Sequence, residues 1–128
     1  MGKRDSFNPL DCAIVYDFDG TLADGDCAQH GLMPAIGIED VGAFWRMVKE
    51  RTRAEDGDEI LAYLGLLAQR AREADMKEEL SPDRLRYHGG SIPLFPGVAG
   101  WFDAINRFGH ENDLQISHYI VSSGLEEM

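Results

Sequence analysis

Two carboxylates stand two positions apart in Asp17-Phe18-Asp19-Gly20-Thr21, directly after the apolar run Ala13-Ile14-Val15-Tyr16. If the chain stays extended past Tyr16, alternate side chains point to one side, so both acids reach the mouth of one strand end. Neighbouring carboxylates repel, and their joint ionisation requires a cation or a shared proton. An all-oxygen donor set on an acidic chain suits Mg²⁺ better than a softer metal. Gly20 allows a tight turn and a close backbone approach to a ligand, and Thr21 adds a hydroxyl and an amide. A carboxylate can also attack phosphorus to form an acyl phosphate, provided charge on the incoming phosphoryl group is offset and a second acid protonates the leaving oxygen. Asp17 and Asp19 fit those roles. An arbitrary pair of acids in a loop is most simply a solvated turn, but the strand before this pair and the Gly-Thr after it favour the chemical reading.

The elements that must position these residues follow from periodicity. The run Ala13–Tyr16 suits a strand buried on both faces of a parallel sheet. From Leu22 to about Ile38 the chain is rich in glycine and small residues, with Pro34 interrupting, and reads as a flap with short helical pieces. Val41, Phe44, Trp45 and Val48 mark one amphipathic helix from Glu39 to about Arg53. Ile60, Leu61, Leu64, Leu67, Ala68 and Ala71 mark a second over Asp58–Ala74, and the two can pack as a hairpin. Ser81-Pro82 predicts a capped short helix ending near Gly89-Gly90. After an extended linker, Ile92–Gly97, another helix carries Val98, Trp101, Phe102, Ile105 and Phe108 on one face and stops at Gly109. A second strand over Tyr119–Val121, with a start as early as Ile116, ends in Ser122-Ser123-Gly124. Ligands of open α/β sheets bind at such carboxyl ends of strands.

At this point Ile14-Val15-Tyr16-Asp17-Phe18-Asp19-Gly20-Thr21-Leu22 closely resembles the first motif of the haloacid-dehalogenase superfamily, an apolar strand followed by DxDGT and an apolar residue. Tyr119-Ile120-Val121-Ser122 resembles the second motif, a strand ending in Ser or Thr, with the register open between Ser122 and Ser123. Pro93–Val98 is similar to the segment that precedes the second motif in capped members. The resemblance implies an α/β fold: a partial Rossmann-like core over 1–22 and 93–128, with a helical cap inserted over 23–92. It implies Asp17 as nucleophile and Asp19 as general acid/base, both as metal residues holding Mg²⁺. Phe18, Gly20, Thr21, Ser122 and Ser123 would then line the substrate phosphate. The second aspartate favours phosphate ester chemistry over dehalogenation. A cap in this place implies a small phosphorylated metabolite as substrate of a Mg-dependent phosphatase. A phosphomutase is the sibling reading, and a non-catalytic protein-interaction fragment is the reading from a different class.

The third and fourth motifs of the family, a lysine and further metal acids, have no counterpart after Ser122, where only Glu126 and Glu127 are acidic. The resemblance thus implies an N-terminal fragment, with weak or absent activity and open sheet edges that favour a homodimer. Composition narrows the partners. Acids outnumber bases 23 to 12, for a net charge of −11, which disfavours nucleic acid. A hydrophobic share of 44% beside 27% charged residues is that of a folding chain. Cys12 and Cys27 form no metal or disulfide pattern, and no apolar run approaches membrane-spanning length, so a reduced, cytoplasmic protein without membrane contact is expected. The start Met-Gly-Lys-Arg-Asp-Ser carries no signal peptide, and its match to a myristoylation pattern through Gly2 and Ser6 is set aside as chance. His30, His88, His110 and His118 read as surface or loop residues, and Trp45, Trp101 and Phe102 as core.

Overall fold

The computed structural model describes residues 8–128, so the readings of the first six positions lie outside the described residues. It is a mixed α/β chain whose described residues form a two-stranded parallel sheet and five α-helices. By contact density it divides into two compact units. One takes the residues up to Asp24 together with Leu94–Ser122, and the other takes Gly25–Pro93 with Ser123–Met128. Among the described residues no helix is long and apolar enough to cross a membrane.

The first unit holds strand β1 (Leu10–Tyr16), helix α5 (Val98–Glu111) and strand β2 (Leu114–Ile120). The strands run parallel in a register that pairs Leu10 with Leu114 and Tyr16 with Ile120. Both strands are longer than their apolar runs. β2 alternates, with Leu114, Ile116 and His118 half-buried and Gln115, Ser117 and Tyr119 exposed. β1 does likewise, with Cys12, Ile14 and Tyr16 covered. The expectation of a strand buried on both faces is therefore corrected: helix α5 packs on one side of the sheet, and on the other Val15 is 61% exposed, Tyr119 56% and Val121 65%.

Helix α5 does not stop at Gly109 but runs through it to Glu111. The glycine is there for space. A Cβ at this buried position would lie 2.9 Å from Ile116 Cδ1 and 3.0 Å from the Leu114 carbonyl oxygen, so its absence lets the helix approach β2 closely. The expected apolar face is correspondingly rotated. Phe102 and Ile105 are half-buried, whereas Trp101 and Phe108 are exposed, which corrects the reading of Trp101 as core.

The second unit is helical. Asp40 caps α2 (Val41–Ala54) by accepting the Ala43 N–H at 2.8 Å, and Asp58 caps α3 (Glu59–Glu73) by accepting from Ile60 and Leu61 at 2.9 and 3.1 Å. Such caps satisfy amides that a helix start leaves without partners. The two helices pack on one another as the hairpin expected. Leu66, Leu67 and Ala71 of α3 meet Phe44 and Val48 of α2, and the Trp45 and Tyr63 rings stack with centroids 5.1 Å apart. Helix α1 (Leu32–Ala35) buries Leu32 and Met33 in the same core. After a 3-10 turn, Lys77–Leu80, helix α4 (Pro82–Gly89) begins at the proline as expected. Ser81 makes no side-chain cap, so here the proline marks the start and the hydroxyl does not.

Candidate functional site

The site begins where β1 ends. Tyr16 is its last residue, and the Val121 N–H donates to the Tyr16 carbonyl at 2.8 Å, one step beyond the last paired residue of β2. The parallel register therefore carries both chains out of the sheet side by side, Asp17 after Tyr16 and Ser122 after Val121. Parallel strands lie about 4.8 Å apart, so the first acid and the serine are brought to one edge by the backbone alone.

Past Asp17 the chain closes into a tight turn around one carbonyl. The Phe18 oxygen accepts from the amides of Thr21, Leu22 and Ala23 at 3.1, 3.0 and 3.0 Å, and the Gly20 N–H donates to the Ala23 carbonyl at 3.0 Å. Gly20 sits at φ +74°, a left-handed conformation that costs a residue with a Cβ far more. The turn is anchored at its far side. Ala23 bridges Leu94, and the Phe95 N–H donates to the Leu22 carbonyl at 2.9 Å, which ties the acidic loop to the segment leading into α5. Leu22 and Ala23 are buried, so the loop is fastened at its base.

Asp17 is exposed, and its Oδ1 accepts the Phe18 N–H at 2.8 Å. That bond orients the carboxylate through one of its two oxygens. Asp19 is half-buried within the turn, Gly20 and Thr21 are exposed on its outer side, and Phe18 is half-buried. Ser122 is the last residue of this unit. Ser123 opens the segment that belongs to the helical unit, and the paired register itself ends at Tyr16 and Ile120, two residues before Ser122.

The donors carried by these segments are carboxylate oxygens, a hydroxyl and main-chain groups. No protein-family model matches the chain, and no curated protein or solved structure does. What the site can do is therefore argued from its own atoms. Hard oxygen donors in an exposed acidic turn fit a hydrated Mg²⁺, which keeps several waters and takes one or two carboxylates. Asp17 and Asp19 are the residues that would hold it.

Below this loop the two strands and α5 enclose a polar chain that sequence reasoning missed. The Trp101 Nε1–H donates to the Tyr16 hydroxyl at 2.8 Å. That hydroxyl lies 2.9 Å from His118 Nδ1, and the His118 Nε2–H donates to Asn106 Oδ1 at 2.9 Å. Asn106 Oδ1 can only accept, so Nε2 carries a proton. The Phe102 ring meets Tyr16 and His118 edge-on at 5.6 and 5.2 Å. His118 is thus no loop residue but a fixed part of the support under Tyr16, the residue that precedes the first acid. Its place on the covered face with Leu114 and Ile116 was the signal available in the sequence.

A second histidine was also misread. His88 in the helical unit is 3% exposed and donates from Nε2 to Glu79 Oε2 at 2.7 Å, an oxygen that accepts from Arg84 Nε at 3.0 Å as well. These two hydrogen bonds, first Arg84 and then His88, hold the Glu79 carboxyl below its ordinary range. Gly31 passes so close that a Cβ there would lie 3.1 Å from His88 Nδ1. This cluster locks α4 to the 3-10 turn and has no part in the acidic loop.

Proposed function

We propose that the chain carries the nucleophile and phosphate-cradling half of a magnesium-dependent phosphoric monoester hydrolase, on a Rossmann-like core with a helical cap. The reading rests on one observation above the rest: Asp17 and Ser122 leave adjacent parallel strands side by side, with the Val121 N–H on the Tyr16 carbonyl at 2.8 Å. In this reading Asp17 Oδ2 attacks phosphorus and the ester oxygen departs with a proton from Asp19. The resulting aspartyl phosphate is hydrolysed by a water that returns its proton to Asp19. The Phe18 N–H fixes the Asp17 carboxylate for attack, the Ser122 hydroxyl donates to a phosphoryl oxygen, and Gly20 and Thr21 offer main-chain N–H groups beside it. Bound Mg²⁺ supplies charge neutralisation for the phosphoryl oxygens. A small phosphorylated metabolite is the substrate class, and a phosphomutase would use the same first step with a different acceptor.

The test is capture of a phosphoryl mimic. With Mg²⁺ present, beryllium fluoride is expected to give a bound fluorine NMR signal that disappears in Asp17→Asn and survives in Asp19→Asn. Robust hydrolysis of nitrophenyl phosphate by Asp17→Asn would reject Asp17 as the nucleophile. A non-catalytic interaction module is the second reading, favoured by the uncovered sheet face of Val15, Tyr119 and Val121. It expects no trapped fluoride in any variant.

A further inference from the structure

Beside the acidic turn, within the same unit, lies a cleft of about 410 Å³. Its walls are Tyr16, Leu22, Phe95, Pro96, Val98 and Trp101, and Thr21 stands at its rim. No charged side chain lines it, on a chain whose charged share is 27% and whose net charge is −11. Its polar wall groups are mostly spent on each other: the Trp101 N–H is given to the Tyr16 hydroxyl, which is itself engaged with His118 Nδ1. The Thr21 hydroxyl is the one side-chain polar group in the lining left to meet a ligand. Gly97 at φ +92° turns the chain into α5 and lets Pro96 and Val98 face one space.

We propose that this cleft binds a flat, uncharged aromatic ring carried by the ligand of the acidic turn. An ionised group entering it would lose part of its hydration and find no counter-charge. An uncharged ring loses little and gains offset or edge-on contacts with Tyr16, Phe95 and Trp101. The size suits one or two fused rings, and a mostly apolar wall with a single convergent polar group is the usual make-up of a small-molecule pocket. Thr21 belongs both to the turn and to the cleft, so a ring seated here has its substituent directed along the loop that holds Asp17 and Asp19. For that anionic end the inference rests on the proposed function; for the ring it rests on the cleft alone.

Naphthol, which has a ring and no phosphate, separates the two. The chain contains two tryptophans, so a Trp45→Phe background leaves the Trp101 indole N–H as a single resonance in nitrogen–proton correlation NMR. Naphthol is expected to shift it saturably, and naphthalene sulfonate to bind about tenfold more weakly or worse, as exclusion of charge demands. Val98→Phe, which fills the cleft, should weaken naphthol binding by about tenfold or more with an unchanged melting temperature. Asp17→Asn should leave naphthol binding unchanged. Absence of fluoride trapping in the unmutated protein, with naphthol binding retained, would reject the proposed function and keep the cleft. A Trp101 resonance that does not saturate, or equal affinity for naphthol and its sulfonate, overturns the proposal. Should Val98→Phe lose its fold, the titrations of the Trp45→Phe protein alone decide between these outcomes.

Discussion

The helical unit and the sheet unit spend their apolar residues differently. In the first, Leu32, Met33, Val48, Leu66, Leu67 and Ala71 are essentially sealed from water, with Phe44 and Tyr63 closing the core. In the second, Leu22 and Ala23 are the buried hydrophobic residues among those described, while Leu10, Val15, Ile120 and Val121 stand more than half exposed. Yet it is the second that carries the acidic turn. Its geometry is held by main-chain hydrogen bonds, strand register and the Trp101–Tyr16–His118–Asn106 chain more than by burial. A loop that must present carboxylates to water gains nothing from a deep core beneath its tip, whereas helices draw most of their stability from packing an apolar face.

That contrast can be broken most directly in the helical core. Leu67→Ala removes a fully buried side chain and is expected to cost about 2–5 kcal/mol, read as a drop in the denaturation midpoint of the helical signal. A loss below about 1 kcal/mol would mean the core is looser than its burial indicates. The sheet unit should respond next most strongly, at one place. Gly109→Ala drives a Cβ against the Leu114 carbonyl oxygen, which cannot move aside, at a cost of about 1–3 kcal/mol. In the same helix Gly100 meets nothing within 4 Å, so Gly100→Ala is expected to stabilise by about 0.5–1 kcal/mol through helix propensity. Opposite signs for two identical substitutions nine positions apart would show that α5 is set by its contact with β2.

The acid limb sharpens the comparison further. Glu79 has its folded pKa depressed from an ordinary 4.5 by Arg84 and His88. A depressed carboxyl contributes stability that is present above the unfolded pKa and is lost as pH falls through the folded value. The helical unit should therefore lose stability as pH drops below about 4.5, and Glu79→Gln should flatten that limb in a plot of melting temperature against pH. An unchanged limb would show that the cluster does not matter to the helical unit. Smallest of all is the uncovered sheet face, where Val15→Ala and Tyr119→Ala should each change stability by less than about 0.5 kcal/mol. A cost near that of Leu67→Ala would reveal that the face is covered in solution, which analytical ultracentrifugation would read as a second copy.

Much of this was legible because it is local. The hairpin of α2 and α3 was readable from apolar stripes, Val41, Phe44 and Val48 against Leu64, Leu67 and Ala71, although Ile60 and Leu61, read into the second stripe, are 41% and 70% exposed. The acidic turn was readable because Gly20 at a left-handed φ follows two acids and a strand. The histidines were not. His88 and His118 look alike to any count of residue types, and only packing places one against Glu79 and the other against Tyr16 and Asn106. Trp101 likewise read as core from its spacing, but the closeness of Gly109 to β2 rolls α5 and turns the indole toward the cleft.

By itself the sequence determined where helices and strands form and that two acids would sit at the end of one strand, because periodicity, capping and turn chemistry act over a few residues. Tertiary structure alone decided that Ser122 leaves the sheet beside Asp17, that one face of the sheet stays open, and that an uncharged cleft borders the turn. Strand register and helix rotation are set by which surfaces fit across long stretches of chain. No local pattern carries that information.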